Sequence, residues 1–238
     1  MATSGWTDSM TPDDRRARAG TAPAARSEHV PESTVRRLST YYRLLQTLAA
    51  QNEAEPVSSE KIASLTGFTA AQVRRDLAYF GTFGRRGVGY ENRDLQRSLA
   101  TILGIDRGWR IALIGVGNLG LALLSYRGFP RQGFHVAAAF DRDPRKAGQS
   151  VRRVQIRPMS ELPTVARDLD LQMAVIAVPA DSAQEVANAV VAAGITGILN
   201  FAPMKLAVPE HVHLQNVDLS IEIEYLSYLL THEEPASA

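Results

Sequence analysis

Three glycines with the spacing G-x-G-x-x-G lie in the stretch ALIGVGNLG. Gly115 allows a tight turn, Gly117 leaves room for a phosphate beside the backbone, and Gly120 lets a helix pack closely on a strand. The spacing alone is a weak signal, because an ordinary glycine-rich turn can share it. Here an apolar run, Ile111–Ile114, precedes the glycines and a helical pattern, Leu119–Tyr126, follows them. This context predicts a loop that holds the pyrophosphate of a dinucleotide at a helix N-terminus.

An acidic residue, Asp141, ends the next apolar run, about 20 residues beyond the glycines. A carboxylate at this place accepts hydrogen bonds from ribose hydroxyls and repels a 2′-phosphate, which favours NAD(H) over NADP(H). Arg142 weakens that preference, since an arginine can hold a 2′-phosphate. Lys146 either reaches the adenosine end or is solvated. A solvated turn remains the alternative interpretation of Asp141.

Groups for catalysis are hard to find. A hydride-transfer enzyme needs a positioned acid or base for the substrate oxygen. None of the lysines, Lys61, Lys146 and Lys205, follows a tyrosine by four residues, so a Tyr-x-x-x-Lys pair is missing. His211 and His213 could suggest a metal pair, but alternation along a strand is the simpler interpretation. The chain is predicted to bind a dinucleotide without turning it over, and we expect no metal site.

The elements that must position the glycine loop follow a strand–helix alternation. Continuous apolar runs predict strands that are buried on both faces of a parallel sheet, with helices on each side. A last helix follows the sheet, with Ile221, Tyr225, Tyr228 and Leu229 on one face. This face either packs on a partner subunit or covers its own sheet. The predicted strands are Arg110–Ile114, His135–Phe140, Met173–Val178, Gly197–Phe201 and Val212–Val217.

The first half of the chain predicts helices. A helix with one buried stripe is indicated by apolar residues three and four positions apart: Val35, Leu38, Tyr42, Leu45 and Leu48. A short helix capped by Ser58 or Ser59 should follow, with Ile62 and Leu65 facing inward and Gly67 at its left-handed end.

A second short helix should begin at Thr69, with Gln72 completing a capping box. Two short helices so close together predict a helix-turn-helix. Gln72 and Arg75 lie opposite the apolar stripe of the second helix, where such side chains can contact base edges. The glycine-rich GTFGRRGVGY then predicts a tight hairpin with Arg85 and Arg86 at its tip, suited to a narrow minor groove. An αα-corner with a solvated basic face is the alternative.

Composition sets the remaining limits. The 238 residues are 45% hydrophobic and carry a net charge of +1, which is typical of a globular protein and not of a disordered one. Cysteine is absent, so disulfides and thiolate chemistry are excluded. No apolar run is long enough for a membrane span, and no secretory signal is visible, so we expect a cytoplasmic protein.

Six stretches resemble the Rex family of bacterial redox-sensing transcriptional repressors. They are VPESTVRRLSTYYRLL, QVRRDLAYFGTFGRRGVGY, ALIGVGNLGLALLSYRGF, FDRDPRKAG, GILNFAP and NVDLSIEIEYLSYLL. The resemblance implies an α/β fold with an N-terminal winged helix-turn-helix domain and a C-terminal Rossmann domain with a parallel, doubly wound sheet. It also implies a homodimer in which the last helix is domain-swapped. Operator DNA would be bound when NADH is low and released when NADH binds.

With this resemblance the domains are expected as a disordered tail over 1–28, a DNA-binding domain over 29–107, an NAD(H)-binding domain over 108–216 and a dimerisation helix over 217–232. The alternatives are an NAD-dependent oxidoreductase with an accessory helix-turn-helix, a CoA-binding module, and a repressor whose Rossmann domain is purely structural.

The expected cofactor-binding residues are Gly115, Val116, Gly117, Asn118, Leu119, Gly120, Tyr126, Asp141, Arg142, Lys146, Val178, Pro179 and Ala180. The expected DNA-binding residues are Ser58, Ser59, Lys61, Thr69, Gln72, Arg74, Arg75, Tyr79, Arg85 and Arg86. The tyrosine–aspartate–arginine switch that the family implies corresponds to Tyr126, Asp218 and Arg43.

Overall fold

A computed structural model of the chain describes residues 30–51, 56–84 and 87–232. The chain divides into two compact units, Met1–Gly104 and Ile105–Ala238. The predicted tail over 1–28 lies outside the described residues. Among the helices of the described ranges, none has the length and apolar character that crossing a membrane requires.

The described part of the first unit is helical and has one core. Its helices are α1 (Glu32–Ala50), α2 (Ser59–Thr66), α3 (Ala70–Ala78) and α4 (Asn92–Ile102). Fully buried apolar residues come from all four, including Leu38, Leu45, Ile62, Val73 and Leu99. Because Gly67–Thr69 joins α2 to α3, the predicted helix-turn-helix is confirmed. Leu65 is exposed, contrary to the prediction, because the buried stripe of α2 consists of Ser59, Ile62 and Ala63.

Local signals set the ends of the two short helices. Ser58 Oγ accepts a hydrogen bond from the Lys61 N–H at 3.1 Å, and Gly67 ends α2 with a left-handed φ of 75°. Thr69 Oγ1 accepts from the Gln72 N–H at 3.1 Å. The prediction that Gln72 completes a capping box is wrong, because its side chain donates from Nε2 to Asp76 Oδ1 at 2.9 Å. A buried carboxylate one turn along the helix binds the amide instead.

The buried face of α1 differs from the predicted stripe at two positions. Thr34 and Tyr41 are buried, whereas Val35 is exposed and Tyr42 is half-buried. The reason is polar: the hydroxyls of Thr34 and Tyr41 both reach the Asp76 carboxylate. Hydrophobic periodicity alone does not register such a contact.

The glycine-rich segment after α3 does not form the predicted hairpin in its described part. Residues 81–84 form neither a strand nor a bridge. Tyr90 pairs instead with Val57, and the two residues exchange both of their backbone hydrogen bonds. Arg85 and Arg86, the predicted tip, lie outside the described residues.

The second unit is a seven-stranded sheet in the order β3-β4-β2-β1-β5-β6-β7. The strands are β1 (Trp109–Ile114), β2 (Phe134–Asp141), β3 (Ser150–Val151), β4 (Val154–Pro158), β5 (Met173–Ile176), β6 (Gly197–Asn200) and β7 (His213–Asn216). All pairings are parallel except that of β3 with β4. The predicted parallel sheet is confirmed.

Helices cover both faces of this sheet. The described helices of the unit that precede the last strand are α5 (Asn118–Ser125), α6 (Gly128–Arg131), α7 (Leu162–Asp168) and α8 (Ala180–Ala192). The last helix, α9 (Leu219–His232), follows β7 and is exposed along its whole length. Along β1, Ala112 and Ile114 belong to one buried cluster, and Ile111 and Leu113 to the other. This alternation shows a core on each side of the sheet, as doubly wound folds require.

The edge strand β3 and its neighbour β4 were not predicted. Their sequence, SVRRVQIRP, is rich in arginine and lacks a glycine or an asparagine at the turn. The turn nevertheless uses left-handed backbone at Arg152 (φ 47°) and Arg153 (φ 71°). Arginine seldom adopts a left-handed backbone conformation, so these two turn residues gave no sequence signal for a hairpin.

Candidate functional site

A cavity of about 560 Å³ opens at the carboxyl ends of β1 and β5. The chain leaves β1 toward β2 on one side and later returns to β5 on the other, so the cavity lies where the strand order reverses. Ligands of open α/β sheets bind at such a point. The lining residues are Ile114, Gly115, Gly117, Asp141, Arg142, Asp143, Lys146, Met159, Ala177, Val178, Pro179, Ser182, Glu185, Val186 and Ala189.

The three glycines have the geometry that their spacing predicts. Gly115 has a φ of 93°, and a Cβ there would lie 2.5 Å from the carbonyl oxygen of Ala177. A Cβ on Gly120 would collide with the Gly115 carbonyl, so the start of α5 packs directly on the loop. Around Gly117 a Cβ would meet no chain atom within 4 Å. The backbone at Gly117 is therefore open to a ligand.

Asp141 is buried and binds the glycine loop. One carboxylate oxygen, Oδ2, accepts from the Val116 N–H at 2.8 Å and from Lys146 Nζ at 2.8 Å, while Oδ1 accepts from the Asp143 N–H at 2.8 Å. Burial opposes ionisation of Asp141, but the hydrogen bonds from Lys146, Asp143 and Val116 outweigh it and lower the pKa of the carboxyl. Asp141 is thus an anion that fixes the loop, and Oδ1 keeps acceptor capacity toward the cavity.

Charged groups of both signs surround this anion. Arg145 donates to both carboxylate oxygens of Asp143 and lowers the pKa of Asp143 to about 2. Lys146 donates a second hydrogen bond to the Val116 carbonyl at 3.0 Å. The rim of the cavity therefore presents carboxylates that are already ionised at neutral pH, together with Arg142.

The cavity includes some of the expected cofactor residues and leaves others out. Gly115, Gly117, Asp141, Arg142, Lys146, Val178 and Pro179 line it, whereas Val116, Asn118, Leu119, Gly120, Tyr126 and Ala180 do not. Besides Ile114, which was predicted only as part of a strand, the lining residues that sequence reasoning missed are Asp143, Met159, Ala177, Ser182, Glu185, Val186 and Ala189. Asp143 lies two residues after Asp141, and a second acidic residue so close to the first was a signal that could have identified it. The other missed residues belong to no sequence motif.

Tyr126 lines a separate cleft of about 290 Å³ with Phe129, His135 and Arg152 among its neighbours. Its ring packs edge-on against Phe129, with centroids 5.0 Å apart, and the residue is 56% exposed. Gly128 makes this placement possible, because a Cβ there would collide with the Tyr126 ring. Within this chain Tyr126 is not part of the glycine-loop cavity.

On the helix-turn-helix, α3 exposes Arg74 and Arg75 on the face opposite its buried Val73 and Leu77. Arg74 donates to Glu60 of α2 at 2.9 Å, and both side chains of this pair are more than half exposed. Tyr79 is half-buried at the end of the helix. This face combines exposed cations with the small residues Ala71 and Ala78, which is a composition suited to a surface that approaches DNA.

Several expected DNA-binding residues have other roles in this structure. Ser59 is buried, with its Oγ 3.4 Å from the Tyr90 hydroxyl, and its expected contact with DNA stays a prediction. The hydroxyls of Ser58 and Thr69 accept hydrogen bonds from helix N–H groups, and Lys61 is half-buried.

The remaining switch residues are exposed. Arg43 lies on the solvent side of α1, and Asp218 accepts a hydrogen bond from the Ser220 N–H at the start of α9. All of α9 is exposed, including Ile221, Tyr225 and Tyr228. The last helix therefore does not cover its own sheet. No group of three or more His, Asp or Glu suited to a metal ion occurs in the described ranges.

Two family models match the chain. One, described as "CoA binding domain", matches residues 106–204, and the other, described as "Putative DNA-binding protein N-terminus", matches residues 29–78.

Relatives and solved structures extend this similarity over nearly the whole chain. A protein of Desulfitobacterium hafniense named "Redox-sensing transcriptional repressor Rex" is 46% identical over 199 residues, which cover 84% of this chain and 94% of that protein. A structure described as RSP in complex with beta-NAD+ and operator DNA has a TM-score of 0.81 at 36% identity, covering 86% of this chain and 94% of RSP. The structure of RSP in complex with beta-NADH has a TM-score of 0.77 at 35% identity, and the match covers 85% of this chain and 94% of RSP.

Proposed function

The chain belongs to the Rex family of redox-sensing transcriptional repressors, and from this premise we propose how its two units divide the function. The protein is a repressor that binds operator DNA and senses NADH, not an enzyme. The first unit binds the operator, the second binds NADH or NAD+, and NADH releases the DNA. The observation that carries this proposal is that RSP, which aligns with 86% of this chain, is described with both NAD+ and operator DNA.

The cofactor lies along the cavity at the ends of β1 and β5. Its pyrophosphate sits at Gly117 and the N-terminus of α5, where free N–H groups favour an anion. The adenosine ribose lies at the rim near Asp141 and Asp143, and their charge disfavours a 2′-phosphate. The nicotinamide end lies toward Val178–Ala180. This placement uses the open backbone at Gly117 and the acceptor capacity left on Asp141 Oδ1.

The reduced and oxidised cofactors differ by a hydride and one positive charge. Contacts that both forms share cannot shift a conformational equilibrium, so the sensor must distinguish them at the nicotinamide end. The switch residues Tyr126, Asp218 and Arg43 are all exposed in the single chain. They are therefore free to form contacts in an assembly that depends on the cofactor.

Operator DNA contacts come from the exposed face of α3, with Arg75 and Arg74 as the principal side chains. Arg85 and Arg86 add contacts from the glycine-rich segment.

The protein acts in the cytoplasm as a homodimer through α9 (the expected dimerisation helix, 217–232), and this helix is exchanged between the subunits. The exposed apolar residues of α9 support a partner subunit as its cover, since so large a patch is seldom left in water. The DNA-binding domain spans 29–107 and the NAD(H)-binding domain spans 108–216.

A mobility-shift experiment on the promoter region of the protein's own gene tests the proposal. The shifted complex should persist with NAD+ and dissociate with NADH, while NADPH and CoA at the same concentrations leave it intact. A complex that is insensitive to all four would contradict redox sensing. Dissociation by CoA alone would favour the CoA-binding module, and steady-state turnover of NADH with a small substrate would favour the oxidoreductase.

A further inference from the structure

One charged side chain of α3 does not face solvent. Asp76 is fully buried, although Arg74 and Arg75 beside it are exposed. Arg37 of α1 holds both of its carboxylate oxygens, from Nε to Oδ2 at 2.6 Å and from Nη2 to Oδ1 at 2.8 Å. The Tyr41 hydroxyl donates to Oδ2 at 2.8 Å. A bidentate arginine fixes the orientation of a carboxylate as well as its position.

Two further donors complete the set. Thr34 Oγ1 lies 3.3 Å from Oδ1, and Gln72 Nε2 donates to the same oxygen at 2.9 Å. Arg37 is itself held from the other side, 6.0 Å from the centroid of the Phe68 ring in the turn between the two short helices. The network therefore joins α1, the turn and α3 inside one unit.

The electrostatics agree with this geometry. Burial opposes the charge on Asp76, but the hydrogen bonds from Arg37, Gln72 and Tyr41 outweigh it and lower the pKa of the carboxyl. Burial and the hydrogen bond to Asp76 raise the pKa of Tyr41. The charged pair and the neutral phenol are thus the stable protonation states at neutral pH.

Gln72 has a particular place in the network. It lies on the outer side of α3, where a glutamine can read adenine through its carbonyl and amide groups together. Here its amide nitrogen is committed to Asp76, and the side chain is half-buried. A paired readout of adenine would require Gln72 to leave the carboxylate.

We propose that Asp76 is a positioning residue for operator recognition: it fixes the rotation of α3 on α1 so that Arg74 and Arg75 point toward the base edges, and it holds Gln72 as a support instead of a base contact. This inference rests on the proposed function. Apolar packing of Val73 and Leu77 tolerates small rotations, whereas a bidentate ion pair between α1 and α3 does not.

The test compares Asp76→Asn with Asp94→Asn in the full chain. Asp94 makes an exposed ion pair with Arg97 on α4 and supplies the same chemical change outside the network. The probes are a duplex that the wild-type chain selects from a random-sequence pool and a scrambled duplex of equal length and composition. Asp76→Asn should bind the selected duplex about tenfold more weakly or worse, with scrambled binding and its salt dependence unchanged. Asp94→Asn should bind both like the wild type.

Tyr41→Phe removes a single donor and guards against a misfolded Asp76→Asn. It should reduce the ratio of selected to scrambled affinity in the same direction, by a smaller factor. Equal losses on both duplexes would mean that the network only keeps the unit folded, and no loss would mean that it positions nothing. Either result would overturn the inference. A wild-type chain that selects no sequence would instead refute the proposed function.

Gln72→Ala separates support from base reading. With single-base variants of the selected duplex, a support should lower affinity by the same factor on every variant. A base contact would remove discrimination at one base pair and leave the other positions as they are. The second pattern would overturn the assignment of Gln72.

Discussion

Both the backbone N–H and the backbone carbonyl of Val116 form hydrogen bonds with side chains. Its N–H donates to Asp141, and its carbonyl accepts from Lys146, which also donates to Asp141. The glycine loop would otherwise have two free peptide groups at its first turn. A single lysine, five residues after Asp141, thus stiffens a loop whose glycines favour flexibility.

Lys146→Met should weaken NADH binding by about tenfold to a hundredfold, since each hydrogen bond to a charged group contributes about 1.5–3 kcal/mol. Methionine keeps most of the apolar stem and removes the donors. Titration of NADH by its fluorescence measures the change. Lys205→Met is the matched control, because Lys205 is exposed and lies outside the cavity. Unchanged affinity in Lys146→Met would show that the loop needs no such support.

The pH dependence of stability should reveal Asp76. Its pKa is lowered in the folded state, so its ionised form stabilises the fold above the ordinary carboxyl pKa of 3.8, and this contribution is lost as the pH falls through the lowered value. Removing one partner of a buried ion pair costs about 3–5 kcal/mol.

Asp76→Asn should therefore lower the melting temperature of the full chain strongly at pH 7, and the difference from the wild type should narrow below about pH 4. Thermal melting followed by circular dichroism, at one protein concentration, measures the melting temperatures of the variant and the wild type at each pH. Asp94→Asn should melt like the wild type at each pH, because exposed ion pairs contribute about 0–1 kcal/mol. A difference that stays constant with pH would mean that the carboxylate charge is not what matters.

At the scale of elements, α9 differs from the other helices of its unit because every one of its residues is exposed. Leu219, Ile223, Leu226 and Leu230 are each more than half exposed, and none of its residues is buried. A helix of this composition is stable in water chiefly when another surface covers it. Its partner must therefore come from outside the described part of this chain.

The double variant Leu226→Glu/Leu230→Glu, one turn apart on α9, should convert the proposed homodimer into a monomer. Burying two carboxylates in an apolar interface is strongly unfavourable, whereas glutamate is well tolerated in an exposed helix. Light scattering after size-exclusion chromatography measures the mass. Leu169→Glu, at a lone exposed leucine after α7, should remain dimeric. A dimeric α9 variant would place the interface elsewhere.

At the scale of the whole molecule, the two ligands must be coupled. If NADH lowers operator affinity by some factor, the operator must lower NADH affinity by the same factor, because both measure one coupling free energy. The coupling should be about 1–3 kcal/mol, or roughly 5-fold to 150-fold in affinity.

Titration of NADH with and without the selected duplex should show weaker binding in its presence, and NAD+ should show little change. The scrambled duplex is the control and should leave NADH affinity unaltered. Equal NADH affinity in both titrations, beside a clear release of DNA by NADH, would break the thermodynamic cycle and exclude this two-state account.

Much of the fold follows from local signals. The caps at Ser58 and Thr69 and the turn at Gly67 set helix ends within a few residues of the signal itself. The glycine spacing required its strand before and its helix after, and both are present. The parallel sheet followed from apolar runs that must be buried on both faces. The hairpin of β3 and β4 was not predicted, because its turn residues carry no hairpin signal. It is stabilised by the pairing of β4 with β2, which is distant in the sequence.

The sequence by itself determined the helix-turn-helix, the order of the parallel strands β1, β2, β5, β6 and β7, and the phosphate-loop geometry, because each depends on residues that are neighbours along the chain. Only the tertiary structure decided what the buried carboxylates do. Asp76 and Arg37 are 39 residues apart, and Asp141 and Val116 are 25 apart. An isolated sequence pattern does not contain such pairings. They arise because a charge removed from water must find donors, and packing alone determines which donors come within reach.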